Sequence, residues 1–267
     1  MPEVSSQGKS VLVLGAGYVG RAIVENCSSR YLLKLTSRAG RKEGWGTVDD
    51  PSCFELMRRE TWGIVDAHDC IVWTFPAARS FDDIPLAVEF FQFVQRNSSG
   101  RIKPVLVLAS TSCYRTTVAD ELVDEKAELD STQSRVVAEE KLRSLGATVL
   151  CLAGLYGGSR DPVQWLVNGL VKNSRAYINL VHKSDVVKIA EAWVESQLPG
   201  ERINASDGRH RRWSEMLDCM KSFGVVPSDM QPFVEELENV SSKRVCNSKL
   251  VSLLYAGPFH RYPEDGL

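Results

Sequence analysis

Apolar positions along the chain fall into short unbroken runs, SVLVL, CIVWTF, PVLVLAS and TVLCL, set between longer mixed stretches. Runs without in-out alternation suit strands buried on both faces, and their recurrence between helical patterns is the βαβ rhythm of a parallel sheet. The pattern predicts strands at Ser10–Leu14, Leu32–Thr36, Cys70–Phe75, Pro104–Ser110 and Thr148–Leu152, with a further short one at Gly46–Val48. It predicts helices at Tyr18–Cys27, Cys53–Arg59, Ile84–Arg96 and Thr132–Leu145. In the last of these, Val136, Val137, Glu140, Lys141 and Leu142 place apolar and charged residues on opposite faces. Beyond residue 153 the rhythm loosens, with helices expected at Pro162–Lys172, Lys183–Gln197 and Trp213–Phe223 and a strand and turn at RINASDG.

The first strand runs directly into Gly15, Gly17 and Gly20, a GxGxxG spacing followed at once by a helix. Gly15 permits the tight turn, Gly17 removes a side chain so that backbone can approach a pyrophosphate, and Gly20 lets helix pack on strand. The N–H groups of Tyr18, Val19 and Gly20 at the helix start favour an anion. This is the Rossmann arrangement, an α/β doubly wound parallel sheet. Residues 1–152 are expected to form mainly that dinucleotide-binding part. Residues 153–267 add the remaining sheet elements and a small substrate-binding lobe, the whole forming one compact unit.

The end of the second strand bears on which dinucleotide fits. An NAD site commonly carries Asp or Glu there for the ribose 2′-hydroxyl, whereas this strand ends Thr36, Ser37, Arg38. Arg38, helped by Ser37 and Arg41, can make charge-assisted bonds to a 2′-phosphate, so NADP(H) is favoured over NAD(H). A solvated surface role for Arg38 is the alternative.

Composition changes this picture little. The 267 residues are 43% hydrophobic and 25% charged with a formal net charge of -2, and charges of both signs are mixed along the chain. Neither nucleic acid nor an anionic membrane is called for. The apolar runs are too short to span a bilayer, and MPEVSSQGK is too short and polar for a secretory signal, so a cytoplasmic protein is expected, or an organellar one if a leader has been removed. Seven cysteines lack metal-ligand spacing and read as reduced, mostly packed thiols.

Several segments together resemble the short-chain dehydrogenase/reductase superfamily in its extended and atypical branches, which include sugar-nucleotide epimerases and dehydratases. LVLASTSCYR resembles its fifth-strand signature and VDEKAELDSTQSRVVAEEKL its acidic turn and active-site helix. LAGLYGGSRDP, INLVHKSDVVKIAEA, RINASDG and KRVCNSKL are similar to later family segments. The resemblance implies a nicotinamide cofactor and a substrate oxygen held at Ser110, beside Thr111 and Ser112. Thr74 and Pro76, in WTFPAAR, would lie on the adenine side of the cofactor. It also implies a Tyr acid–base group with a Lys four residues later, but alignment places Ser131 and Arg135 at those positions. A serine hydroxyl is a far weaker acid than a phenol, and Arg135 can bond the ribose without passing protons. Tyr114 or Tyr156 could substitute or be packed aromatics, and Cys113 reads as an unactivated thiol. His182 reads as a turn residue, with Asp185 capping the following helix.

Two readings follow. One is an NADP(H)-dependent oxidoreductase or epimerase-like enzyme with a non-standard active site, acting on a carbonyl compound or sugar nucleotide as monomer or homodimer. The other is an NADP(H)-binding redox sensor or scaffold without turnover. Specificity for a small-molecule substrate is expected from GGSRDP, Trp165 and Arg209–Trp213, and no metal is expected.

Overall fold

The structure is a computed structural model that describes residues 8–38, 52–98, 102–171, 173–230 and 242–266. The expected strand at Gly46–Val48 and the candidate Arg41 lie outside the described residues. In chain order come β1 (Ser10–Leu14), α1 (Tyr18–Cys27), β2 (Leu32–Ser37), β3 (Ser52–Cys53), β4 (Cys70–Trp73), α2 (Ile84–Arg96) and β5 (Val105–Ser110). Then follow β6 (Glu121–Val123), α3 (Ser134–Ser144), β7 (Thr148–Leu152), β8 (Gly154–Tyr156), α4 (Pro162–Val167), β9 (Tyr177–Ile178) and β10 (Leu180–His182). The chain ends with α5 (Lys183–Ser196), β11 (Arg202–Ala205), β12 (Arg211–Arg212), α6 (Trp213–Ser222), β13 (Lys243–Val245) and α7 (Ser248–Leu253).

A seven-stranded sheet is ordered β3-β2-β1-β4-β5-β7-β11. The pairings of β1 with β2 and β4, of β2 with β3 and of β4 with β5 are parallel. Because the chain steps to one side of β1 for β2 and to the other for β4, a crevice is left at the carboxyl ends of β1 and β4. The glycine turn sits at that switch point.

Clustering of the backbone divides the chain into two units that interleave in sequence. The first comprises residues 1–109, 131–150 and 187–202, and the second residues 110–130, 151–186 and 203–267. In the first, the all-buried strand β4 packs beneath α2, whose buried positions Ile84, Ala87, Phe90, Phe91 and Val94 repeat at helical spacing. Phe90 anchors an aromatic cluster, with Phe54 and Trp62 ring centroids at 5.2 Å and Trp73 at 5.3 Å. The second unit pairs β8 with β10 and β6 with β13 in parallel, and β9 with β12 antiparallel. Its core joins Tyr156, Ile178, Leu180, Trp213, Met216, Leu217, Met220 and Tyr262.

Two helical expectations are corrected. Cys53–Arg59 is not a helix: Ser52 and Cys53 pair with Thr36 and Ser37 as an edge strand, and a 3-10 helix follows at Arg59–Ala67. The intervening turn is closed by Thr61, whose hydroxyl donates to the Arg58 carbonyl at 2.7 Å, and by Trp62, whose ring N–H donates to the Leu56 carbonyl at 3.1 Å. The helix expected to reach Lys172 stops at Val167, because Gly169 takes φ +64, a conformation outside the helical basin.

Candidate functional site

β1 is buried from Val11 to Leu14, and the backbone leaves it through Gly15 at φ +104. Strands on both sides pin this turn. From β2, Thr36 Oγ1 accepts the Gly15 N–H at 3.1 Å. Just beyond β4, Thr74 Oγ1 lies 2.8 Å from the Leu14 carbonyl oxygen and 3.0 Å from that of Gly15, so its single proton is shared between them. A Cβ on Gly15 would lie 2.7 Å from Thr74 Oγ1 and 3.1 Å from the Phe75 ring. One on Gly20 would overlap the Gly15 carbonyl oxygen.

Gly17 differs from both. It stands in extended conformation at the head of α1; among the described residues no side-chain cap hydrogen bond is formed at that helix start, and no acidic residue lies in its first turn. Among the described residues, a Cβ at Gly17 would meet nothing within 4 Å. Packing among the described residues therefore does not require glycine there. An open space beside exposed backbone at an uncapped helix start fits a pyrophosphate group. Val19 and Gly20 are buried and Tyr18 half-buried, so Val19 and Gly20 have mainly their backbone N–H groups to offer.

At the end of β2, Thr36 is 1% exposed and its hydroxyl serves the turn, while Ser37 is half-buried and Arg38 exposed. Thr36 holds the glycine turn, a contact that composition and motif did not single out. A polar residue at the apolar end of a buried strand was the available signal. Pro76 is exposed and Thr74 half-buried, with the Thr74 hydroxyl turned to β1 carbonyls.

Ser110 ends β5 and caps the 3-10 turn Thr111–Cys113: its Oγ accepts the Ser112 N–H at 3.2 Å and lies 2.9 Å from Ser112 Oγ. Thr111 is buried and Ser112 exposed. Tyr114 is 3% exposed, and its hydroxyl donates to Asn204 Oδ1 at 2.6 Å. Asn204 in turn donates its N–H to Glu125 Oε1 at 2.8 Å and its side-chain amide to the Cys246 carbonyl at 3.2 Å. Proton exchange between the Tyr114 phenol and a substrate would mean surrendering the Asn204 bond. Tyr156 is fully buried against His182 and Tyr262, and burial pushes its phenol well above the ordinary value, the wrong direction for a base at neutral pH. Cys113 is buried with its Sγ 3.8 Å from that of Cys151.

Ser131 is exposed just before α3. Arg135, in the first turn of α3, donates to Gln133 Oε1 at 2.9 Å and to Glu139 Oε1 at 3.4 Å. His182 Nδ1 accepts the Ser184 N–H at 3.2 Å, and Asp185, in the first turn of α5, accepts the His260 N–H at 2.7 Å. In the Arg209–Trp213 segment, Arg209 and Arg211 pair with Glu264, Arg212 Nη2 pairs with Asp120 at 2.7 Å, and Trp213 is buried. Among the described residues no cluster of three or more His, Cys, Asp or Glu could hold a metal ion, and no helix is long and apolar enough to cross a membrane.

No family model and no curated protein matches the chain. Solved structures do. The chain is similar to WbmH of Bordetella bronchiseptica in complex with NAD+, at TM-score 0.73 and 16% identity, covering 97% of this chain and 96% of that one. It is similar to UDP-glucose 4-epimerase of Thermotoga maritima with UDP-glucose, at TM-score 0.70 and 14% identity, covering 91% of each chain. It is also similar to WbmG of Bordetella bronchiseptica in complex with NAD and UDP, at TM-score 0.69 and 16% identity, covering 95% of this chain and 90% of that one. The chain thus shares the α/β fold of these structures, as the sequence resemblance implied.

Proposed function

We propose that the glycine turn binds NADP(H) and that the protein uses it in oxidoreductase or epimerase-like chemistry on a small molecule, a carbonyl compound or a sugar nucleotide. The carrying observation is the space beside Gly17, which the described residues leave open while Gly15 and Gly20 are packed tight. Folds solved with NAD+, with UDP-glucose and with UDP support a nicotinamide dinucleotide and a nucleotide-linked substrate. When bound, the dinucleotide supplies a carbon-centred hydride donor or acceptor.

In this reading the N–H groups of Gly17, Tyr18, Val19 and Gly20 hold the pyrophosphate, with Thr36 and Thr74 keeping Gly15 in its turn. Ser37 and Arg38 take the 2′-phosphate, Arg135 the ribose hydroxyls, and Thr74 and Pro76 border the adenine side. Ser112 donates its hydroxyl proton to Ser110 Oγ, which directs the Ser110 proton toward a substrate oxygen. Arg38→Ala is expected to weaken NADPH binding by about 10- to 100-fold and to leave NADH binding unchanged, read by titrating nicotinamide fluorescence. Equal affinities in wild type and variant would refute the 2′-phosphate assignment. Ser110→Ala is expected to lower hydride transfer, assayed over carbonyl and sugar-nucleotide substrates, by about 100-fold or more at unchanged cofactor affinity. Turnover undiminished in that variant would remove Ser110 from the chemistry.

The second reading, cofactor binding without turnover, is favoured by one specific set of positions. Ser131 stands where the resemblance implies a tyrosine, the Tyr114 hydroxyl is committed to Asn204, and the Tyr156 phenol is buried. A panel silent at saturating NADPH, together with partner capture that differs between NADPH and NADP+, would select it.

A further inference from the structure

We propose that Glu139, buried in α3 one turn after Arg135, is a positioning residue that sets the Arg135 guanidinium for the cofactor ribose and makes NADP+ affinity depend on the charge Glu139 carries. The inference rests on the reading of the glycine turn and Arg135 given above, and deepens it.

Arg135 is 21% exposed at its side chain, whereas Glu139 is 1% exposed. A guanidinium is planar, so two acceptors at different nitrogens fix its orientation. Gln133 Oε1 takes Nη2 at 2.9 Å and Glu139 Oε1 takes Nη1 at 3.4 Å. Of these two acceptors, Glu139 is the one that can change its charge. The other carboxylate oxygen of Glu139 is buried and accepts no hydrogen bond within the described residues, so no hydrogen bond at that oxygen stabilises the ionised form.

The charged groups acting on Glu139 are Arg135 on its own helix and Arg202 at the start of β11. Arg202 is itself bound to Glu140 Oε2 at 3.0 Å. The packed helix α2 carries Glu89, held by Arg59 at 2.6 Å, and Arg96. Burial raises the Glu139 carboxyl to about 7, against the opposing pull of Arg135 and Arg202. As pH falls through neutrality it therefore passes from a charged anchor for Arg135 to a neutral one.

Two pH trends of opposite sign separate positioning from plain structure. A carboxyl raised from the ordinary 4.5 to about 7 stabilises the fold fully below 4.5, and that contribution is lost as pH rises through 7. Cofactor affinity should move the other way, strengthening as Glu139 ionises and grips Arg135. A merely structural role has no reason to reverse the trend.

The test measures NADP+ dissociation constants by calorimetry at pH 6 and pH 8 for wild type, Glu139→Gln and Arg135→Ala. The 2′-phosphate titrates alike in all three, so ratios between variants are compared. Wild type is expected to tighten about fivefold relative to Glu139→Gln between the two pH values, and relative to Arg135→Ala by at least as much. A wild-type to Glu139→Gln ratio that stays constant with pH would overturn the inference. Should Glu139→Gln not fold, a constant wild-type to Arg135→Ala ratio does the same. Gly17→Ala is the control: full NADP+ affinity in that variant would refute the dinucleotide site itself, whereas lost affinity there with a constant Glu139→Gln ratio refutes this inference alone.

Discussion

Gly17→Ala is expected to remove tight NADP(H) binding while leaving the protein folded. The added methyl meets no atom of the other described residues within 4 Å, so its expected folded-state cost is that of the poorer helix cap, about 1 kcal/mol or less. It would occupy the space in which backbone must approach the pyrophosphate, and the dissociation constant should rise by about 100-fold, near 3 kcal/mol of lost affinity. Fluorescence titration paired with thermal unfolding reads both quantities on one sample. Unchanged affinity would mean that the turn does not bind the pyrophosphate.

Gly20→Ala should behave in the opposite way. Its methyl would overlap the Gly15 carbonyl oxygen and press on Val13 at 3.3 Å, and both lie in the turn and strand that α1 packs against. Backbone cannot rotate aside as a flexible side chain can. Relief requires moving α1 off β1, at a cost of about 3 kcal/mol, or roughly 6–12 °C in Tm for a chain of this size. A variant with wild-type Tm would show that helix and strand are not in the close contact described. One spacing of three glycines thus contains two that the fold needs and one whose added methyl would meet nothing among the described residues.

Much of the first unit was legible along the chain. The boundaries of β1 and α1 follow from the run Val11–Leu14, the glycines and the apolar spacing of Val19, Ala22 and Ile23, which are all local signals. Long uniform helices such as α2 were equally plain. What escaped was non-local: β3 is two residues long and exists because Ser52 and Cys53 pair with Thr36 and Ser37. The pairings of β6 with β13 and β9 with β12 are also too short for alternation to reveal. The candidate site divides similarly. The glycine turn and Arg38 were readable as a motif and as a missing carboxylate. The bond from Tyr114 to Asn204 joins residues 90 positions apart and carries no mark in either neighbourhood.

By itself the sequence determined the parallel α/β framework, the turn at the end of β1 and the departure at Ser131 and Arg135, because each is written in residue type and short-range spacing. Only the tertiary structure decided which glycines serve the fold, that Thr36 and Thr74 hold the turn, that the Tyr114 phenol is spent on Asn204, and that Glu139 is buried behind Arg135. Those facts depend on which strands and helices lie side by side, and a side chain's partners and solvent exposure are set by that arrangement rather than by its neighbours along the chain.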